Sequence, residues 1–247
     1  MRALLAQYKA ELLRTSRDRR FFTLTLGMPI VFYLIFIHQV GRGVQVGGTA
    51  WGAYFMVSMA AFGVVGSSVN TLGVRLAAER QSGWVRWLRT TPLSSTGYAL
   101  AKTFTQLTLS LLIVAAVFLV AHVSQAVALP AGRWLEITLW LWLGSLPFAA
   151  LGVLIGMAGS AAQVLGTLAY LAMAMLGGLW TPVQALSRTM RTIAEWMPTY
   201  HFARPAWDIL AGRSVHWSDA AILLGYAALF TAAAAFIQRR LDARAQS

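Results

Sequence analysis

Residues 51–74 read WGAYFMVSMAAFGVVGSSVNTLGV, a run from Trp51 to Val74 with no charged residue and no proline. At the rise of an α-helix it reaches about 36 Å, enough to cross the roughly 30 Å hydrocarbon core of a bilayer. A spanning segment must satisfy every backbone polar group within itself or within a closed barrel, and this run is too long and too continuously apolar for a barrel strand. It predicts a membrane-spanning helix.

Similar runs lie on both sides of it, at Phe21 to Val40, Thr103 to Ala121, Trp134 to Met157, Ala161 to Trp180 and Ala220 to Ile237. Together they predict six spans in an all-α polytopic membrane protein. Composition agrees. Of 247 residues, 58% are hydrophobic and 11% charged, with a mean hydropathy of +0.62, whereas a soluble domain is about 25% charged. Intrinsic disorder, a disulfide scaffold and a collagen-like fibre are excluded by high hydropathy, the absence of cysteine and the lack of a glycine period. No repeat or linker divides the chain, so residues 1–247 read as one transmembrane domain.

The net charge of +12 would point to nucleic acid in a soluble protein. In a membrane protein, basic residues instead gather in cytoplasmic connections, where they set orientation and meet anionic lipid. With a cytoplasmic N-terminus, the inner segments hold 14 of the 20 Lys and Arg residues and the outer ones 6. Both termini are therefore expected in the cytoplasm, with no nucleic-acid partner.

Residues 1–20 place Leu4, Leu5, Tyr8 and Leu12 at helical spacing, with Arg14 and Arg17 on the far side. This predicts an amphipathic helix on the membrane surface. The basic start and the apolar run after it also resemble a secretory signal, but the segment from His38 to Arg42 offers no small-residue cleavage site. Two connections exceed simple turns. Arg75 to Lys102 reads as a cytoplasmic loop with a short helix ended by Pro92, and with Ser94 and Ser95 capping the helix after it. Thr181 to Asp219 reads as an extracytoplasmic hairpin whose middle, Val183 to Trp196, is helical but too polar to span. An interfacial or re-entrant helix before the last span is expected there.

The chemistry of other transporter classes is absent from the pattern. A P-loop needs Gly-Lys-Ser/Thr, and the two lysines, Lys9 and Lys102, follow Tyr8 and Ala101. Carboxylates read as loop, tail or helix-end residues, with Glu136 closest to a span interior, which counts against an ion-coupled carrier. His38, His122, His201 and His216 map to the outer side, with no pair at metal-ligand spacing. Span interiors carry hydroxyls and amides instead, among them Ser67 and Asn70, Gln106, and Thr167 with Tyr170. Such groups either bond helix to helix or line a passage. Gly152, Gly156 and Ser160 form a small-residue face suited to close helix packing.

The cytoplasmic connection runs Glu79, Arg80, Gln81, Ser82, Gly83, Trp84, Val85, Arg86, Trp87, Leu88, Arg89, Thr90, Thr91, Pro92, with Tyr98 and Lys102 beyond. Tryptophans beside arginines suit a protein-docking surface. They equally suit a surface helix with Trp84 and Trp87 dipped into headgroups, and spacing leaves both readings open. Glu-Arg-x-x-Gly, then Thr-Pro-Leu, then Tyr and Ala-Lys before a span resembles the cytoplasmic loop of the ABC-2 type permeases, the membrane halves of type V ABC exporters. Gly177-Gly178-Leu179-Trp180 with Pro182, followed by Met197-Pro198-Thr199-Tyr200-His201, resembles that family's segment before the last span.

The resemblance covers essentially the whole chain. It implies a permease that pairs with itself or with a sister chain and binds a separate P-loop ATPase. ATP and Mg would sit on that subunit, and this chain would hold no cofactor or metal and do no covalent chemistry. Glu79, Arg80, Gly83, Trp84, Arg86, Trp87, Arg89 and Pro92 would then be the ATPase contacts, joined by the surface helix through Leu5, Tyr8, Leu12 and Arg14. Ser67, Asn70, Gln106, Thr167 and Tyr170 would line the passage of a hydrophobic or amphipathic substrate, such as a drug, antibiotic or lipid-like compound. One departure stands out: where many family members carry Gly-Thr-x-Glu, this chain has Gly83-Trp84-Val85-Arg86, a base in place of an acid. A self-sufficient channel or carrier is the main alternative, with a lipid-modifying enzyme more distant.

Overall fold

A helix apolar on every side has no face to give to water and must be enclosed. Trp51–Gly66 takes that place. In the computed structural model, which describes residues 2–19, 21–41, 43–84, 87 and 90–244, it forms a helix in which every residue except Gly52 is buried.

The chain starts with α1 (Arg2–Ser16), followed by a π-helical stretch, Phe21–Leu26, that leads into α2 (Gly27–Val40). A two-stranded hairpin, β1 (Gln45–Val46) with β2 (Thr49–Ala50), turns the chain into α3 (Trp51–Gly66). A second π-helical stretch, Ser67–Leu72, carries α3 on into α4 (Gly73–Gln81). After the loop come α5 (Ser95–Gln125), α6 (Ala131–Leu143), α7 (Leu146–Ile155) and α8 (Ala162–Leu176). Two short helices, α9 (Arg188–Glu195) and α10 (Pro198–Leu210), precede the last, α11 (Trp217–Arg244).

Among the described residues, five helical stretches are long and apolar enough to cross a membrane: Phe21–Val40, Trp51–Gln81, Gly97–Gln125, Ala131–Leu176 and Trp217–Leu241. The protein is thus an all-α polytopic membrane protein. The fourth stretch has 46 residues, about 69 Å of helical rise and over twice the hydrocarbon thickness. It does not run straight, because Gly159 sits at φ 59°, ψ −125° and breaks it between α7 and α8.

Around α3 stand α2, α5 and α10, with α6 closing behind α5 and α10 and with α11 against α7 and α10. Gly152 lets α7 meet the second π-helical stretch at backbone distance, since a Cβ there would lie 2.0 Å from the Ser68 carbonyl oxygen. Gly156 approaches Leu76 in the same way. Ser160 is exposed and stands outside this contact.

Two boundaries differ from the sequence reading. The second span does not end at Val74 but continues as helix to Gln81, so Glu79 and Arg80 belong to a helix and not to a loop. The hairpin before the last helix contains two helices, and the predicted polar one, α9, is the outlying member. Its neighbour α10 is buried along almost its whole length despite carrying His201, Arg204 and Asp208.

Candidate coupling site

Helix α4 is capped at Ser82 and followed by Gly83, whose φ of 75° is the left-handed conformation that stops a helix and favours glycine. Ser94 caps α5 by accepting from the Gly97 amide at 3.0 Å, as expected from the sequence. Between them the Trp84 and Trp87 rings stack, with centroids 4.9 Å apart, and both are exposed, Trp87 by 57%. Pro92 is exposed beside them. The expected contacts Arg86 and Arg89 lie outside the described residues.

Below this loop, α1, α4 and α5 are joined by buried ions. Lys102 on α5 stands between two carboxylates, 2.6 Å from Glu11 on α1 and 2.6 Å from Glu79 on α4. All three residues are at most 5% exposed. Glu79 also accepts from Arg14 at 2.9 Å and from the Tyr98 hydroxyl, while Gln7 donates to Glu11 at 2.9 Å. Two acids thus meet two bases, and the group is electrically balanced. Such balance matters, because an uncompensated charge at this depth costs several kcal/mol.

The same seam continues along α1. Arg75 bonds Thr15 at 2.7 Å and Asp18 at 2.5 Å, and the Tyr8 and Thr108 hydroxyls bond at 2.8 Å. At its far end, Arg80 donates to Gln238 on α11 at 2.8 Å. The end of α4 is therefore tied to three other helices.

The structure adds a polar inner face to the reading of α1. The helix exists, but its inner face is polar, built from Gln7, Tyr8, Glu11 and Thr15. Leu5 is 64% exposed and points away, Leu12 is half-buried, and Arg14 reaches Glu79 instead of lying on the far side. Glu11 and Lys102 are not among the contacts expected from the sequence. The 3–4 spacing of Gln7, Glu11, Thr15 and Asp18 is the signal it offers for a polar docking face.

The expected passage residues separate into two groups. Gln106 donates to Ser67 at 3.1 Å, Ser68 at 2.9 Å and Ser110 at 3.3 Å, all buried. Gln106 and Ser67 thus join helices inside the protomer. Asn70 and Thr167 instead meet Gln163 at the surface, with Gln163 donating to Asn70 at 3.4 Å and to Thr167 at 3.2 Å. Tyr170 is half-buried and stacks on Phe62 at 4.7 Å.

At the opposite end of the bundle, α10 carries its own ion network. His201 contacts Asp219 at 2.6 Å and the Glu195 carbonyl at 2.8 Å, and Arg213 pairs with Asp208 at 2.8 Å. Burial raises the Tyr200 phenol above its ordinary range, and the neighbouring Arg204 pulls it the other way. The sequence places His201 on the outer side without showing this network. The pattern holds a signal only in Asp219, in the first turn of α11, where a carboxylate suits a helix N-terminus.

A bundle of apolar helices, with an outer helix held on one end by buried ions, defines a multi-pass membrane protein. This chain belongs to the ABC-2 family of transporter proteins, whose family model, described as ABC-2 family transporter protein, matches residues 47–236. It is 36% identical, over 245 residues, to YvfS of Bacillus subtilis (strain 168), a protein named as a transport permease; the match covers 98% of this chain and 100% of YvfS. The chain is accordingly a membrane transport permease, and membership of the family implies an ATPase partner in an ABC transporter.

Proposed function

We propose that this permease exports a hydrophobic or amphipathic compound across the bacterial cytoplasmic membrane, driven by ATP hydrolysis on its partner. Counting the two arms of the 46-residue stretch separately gives six passes, with both termini cytoplasmic by the basic-residue bias. The hairpin of α9 and α10 then enters the membrane from outside and closes the exit.

One observation carries this reading: Glu79, which joins Glu11, Arg14 and Lys102 in the balanced ion group, lies in the last turn of α4, the helix that leads directly into the exposed Trp84–Trp87 pair. A partner that grips the tryptophans moves α4, α5 and α1 as one unit, because separating them would strand buried charge. Two copies of the permease, or one with a sister chain, would part along the face bearing Asn70, Thr167 and Tyr170. That face offers hydroxyl, amide and ring surfaces and no fixed charge, which suits an amphipathic cargo.

The test is co-expression with a P-loop ATPase subunit of an ABC transporter from the same source, followed by purification and transport in vesicles. Transport is expected only with ATP. The double substitution Trp84→Ala with Arg86→Glu is expected to abolish ATPase co-purification while membrane insertion persists. Transport by the permease alone, indifferent to ATP, would overturn the proposal in favour of a self-sufficient channel or carrier.

A further inference from the structure

A groove of about 530 Å³ runs between the last helix and the end of α9, within the usual size range for small-molecule sites. Ile222, Gly225, Tyr226 and Leu229 form its long wall, one face of α11 by their helical spacing. Glu195 and Trp196 form the other wall, and His201 also lines it.

Among the described residues, the polar groups of this lining are engaged except the exposed Trp196 indole N–H and the Glu195 carboxylate. The Tyr226 hydroxyl donates to the Trp196 carbonyl at 2.6 Å, which leaves its ring as an apolar surface. His201 has both ring nitrogens occupied, by Asp219 and by the Glu195 carbonyl. Among the described residues no hydrogen bond or ion pair involves the Glu195 carboxylate, which is exposed. An unpaired carboxylate beside an indole and a phenol ring is a cation site by charge and by the negative faces of both rings.

Gly225 makes the independent case. It lies in the middle of a 28-residue helix, where glycine costs about 1 kcal/mol relative to alanine. Neither packing nor backbone requires it: its φ is not positive, and a Cβ built there would meet no atom within 4 Å. What the missing side chain does is keep the groove open. Access is from lipid, because Leu224 and Leu229 on the same helix are exposed along a span.

We propose that this groove binds a single-chain amphiphile with an ammonium head. The tail lies along Ile222, Gly225 and Leu229, and the head sits between Glu195 and the Trp196 ring. As a statement about cargo this deepens the export reading and rests on it, making cationic amphiphiles the preferred class and the groove a lateral site beside the exit. As a statement about binding it stands without transport.

The test uses the full chain in uncharged maltoside micelles, without nucleotide, and reads quenching of tryptophan fluorescence by 2-bromododecyltrimethylammonium, whose bromine lies next to the head. Trp196→Phe identifies the signal from the groove. Saturable quenching of Trp196 is expected. Glu195→Gln should raise the half-saturating concentration at least tenfold, and Gly225→Leu should abolish the quenching with the unfolding temperature unchanged. Laurate should compete at least tenfold less well than unbrominated dodecyltrimethylammonium.

Equal competition by laurate, or an unchanged Glu195→Gln variant, would overturn the proposal. So would full quenching in Gly225→Leu, or displacement of the probe by phosphatidylethanolamine at lower concentration than by the free ammonium compound, which would make the occupant a bilayer lipid. Failure of ATP-driven transport leaves this result untouched, so the two proposals fail separately.

Discussion

Lys102 holds three helices with one charge, and the choice of lysine is a matter of geometry. Its ammonium is compact, on a flexible stem, and can approach two carboxylates from different helices at 2.6 Å each. A guanidinium presents a planar fork suited to one carboxylate at a time, so Lys102→Arg is not conservative here. Replacing it with Lys102→Met leaves Glu11 and Glu79 buried, with only Arg14 at 2.9 Å from Glu79 as compensation. Breaking a buried pair in this way costs about 3–5 kcal/mol. The expected result is release of α1 from α5, read as faster amide hydrogen exchange across residues 2–16 in detergent, with the other helices still protected. Arg75→Met removes a pair in which Asp18 is about a third exposed, and there the loss should stay near 1 kcal/mol or below. Unchanged exchange in Lys102→Met would mean that α1 is held by something other than these ions.

At the scale of elements, α7 and the π-helical stretch Ser67–Leu72 meet at backbone distance. Widened π turns inside helices cluster at functional positions, and this one is braced where Gly152 admits the Ser68 carbonyl. Gly152→Ala forces a methyl into that carbonyl, and overpacking of this kind costs about 1–3 kcal/mol. Gly132→Ala meets nothing within 4 Å and should be neutral or stabilising by up to about 1 kcal/mol. Thermal unfolding of the two variants in the same detergent checks the contrast, and equal midpoints would refute the close contact. The same element shows what one-dimensional reading reaches. Long apolar runs and Ser94 as a cap were legible, because each depends on residues near in sequence. The continuation of the second span to Gln81 was not: Arg75 and Glu79 look like the start of a loop until Asp18, Lys102 and Arg14 neutralise them from elsewhere in the chain. Helix α10 was hidden for the same reason. His201 reads as an outer-side residue and Asp208 as a loop or helix-end carboxylate, and their burial is matched by Asp219 on the next helix and by Arg213 just beyond the end of α10.

At the scale of the molecule, the exposed faces of α11 and α8 differ in chemistry. The outer side of α11 exposes Leu224, Leu229 and Phe236, which lipid tails satisfy. Helix α8 exposes Val164, Leu165 and Leu168, but beside them stand Gln163, Asn70 and Thr167, bonded only loosely to one another at 3.2–3.5 Å. Amides at such a depth are expensive against hydrocarbon, so this face is expected to meet a second permease copy or water, and not lipid. The absence of cysteine makes the distinction measurable, because a single introduced thiol is the only reactive one. In native membranes, Thr167→Cys should react with a membrane-impermeant maleimide, or form a disulfide with a second copy on mild oxidation. Leu224→Cys should do neither, since a lipid-facing thiol stays protonated and dry. ATP with the partner ATPase should change the labelling rate at position 167 and leave position 224 unaltered, because only the former borders surfaces that separate during transport. Equal reactivity at the two positions would place α8 against lipid and move the passage to another face of the bundle.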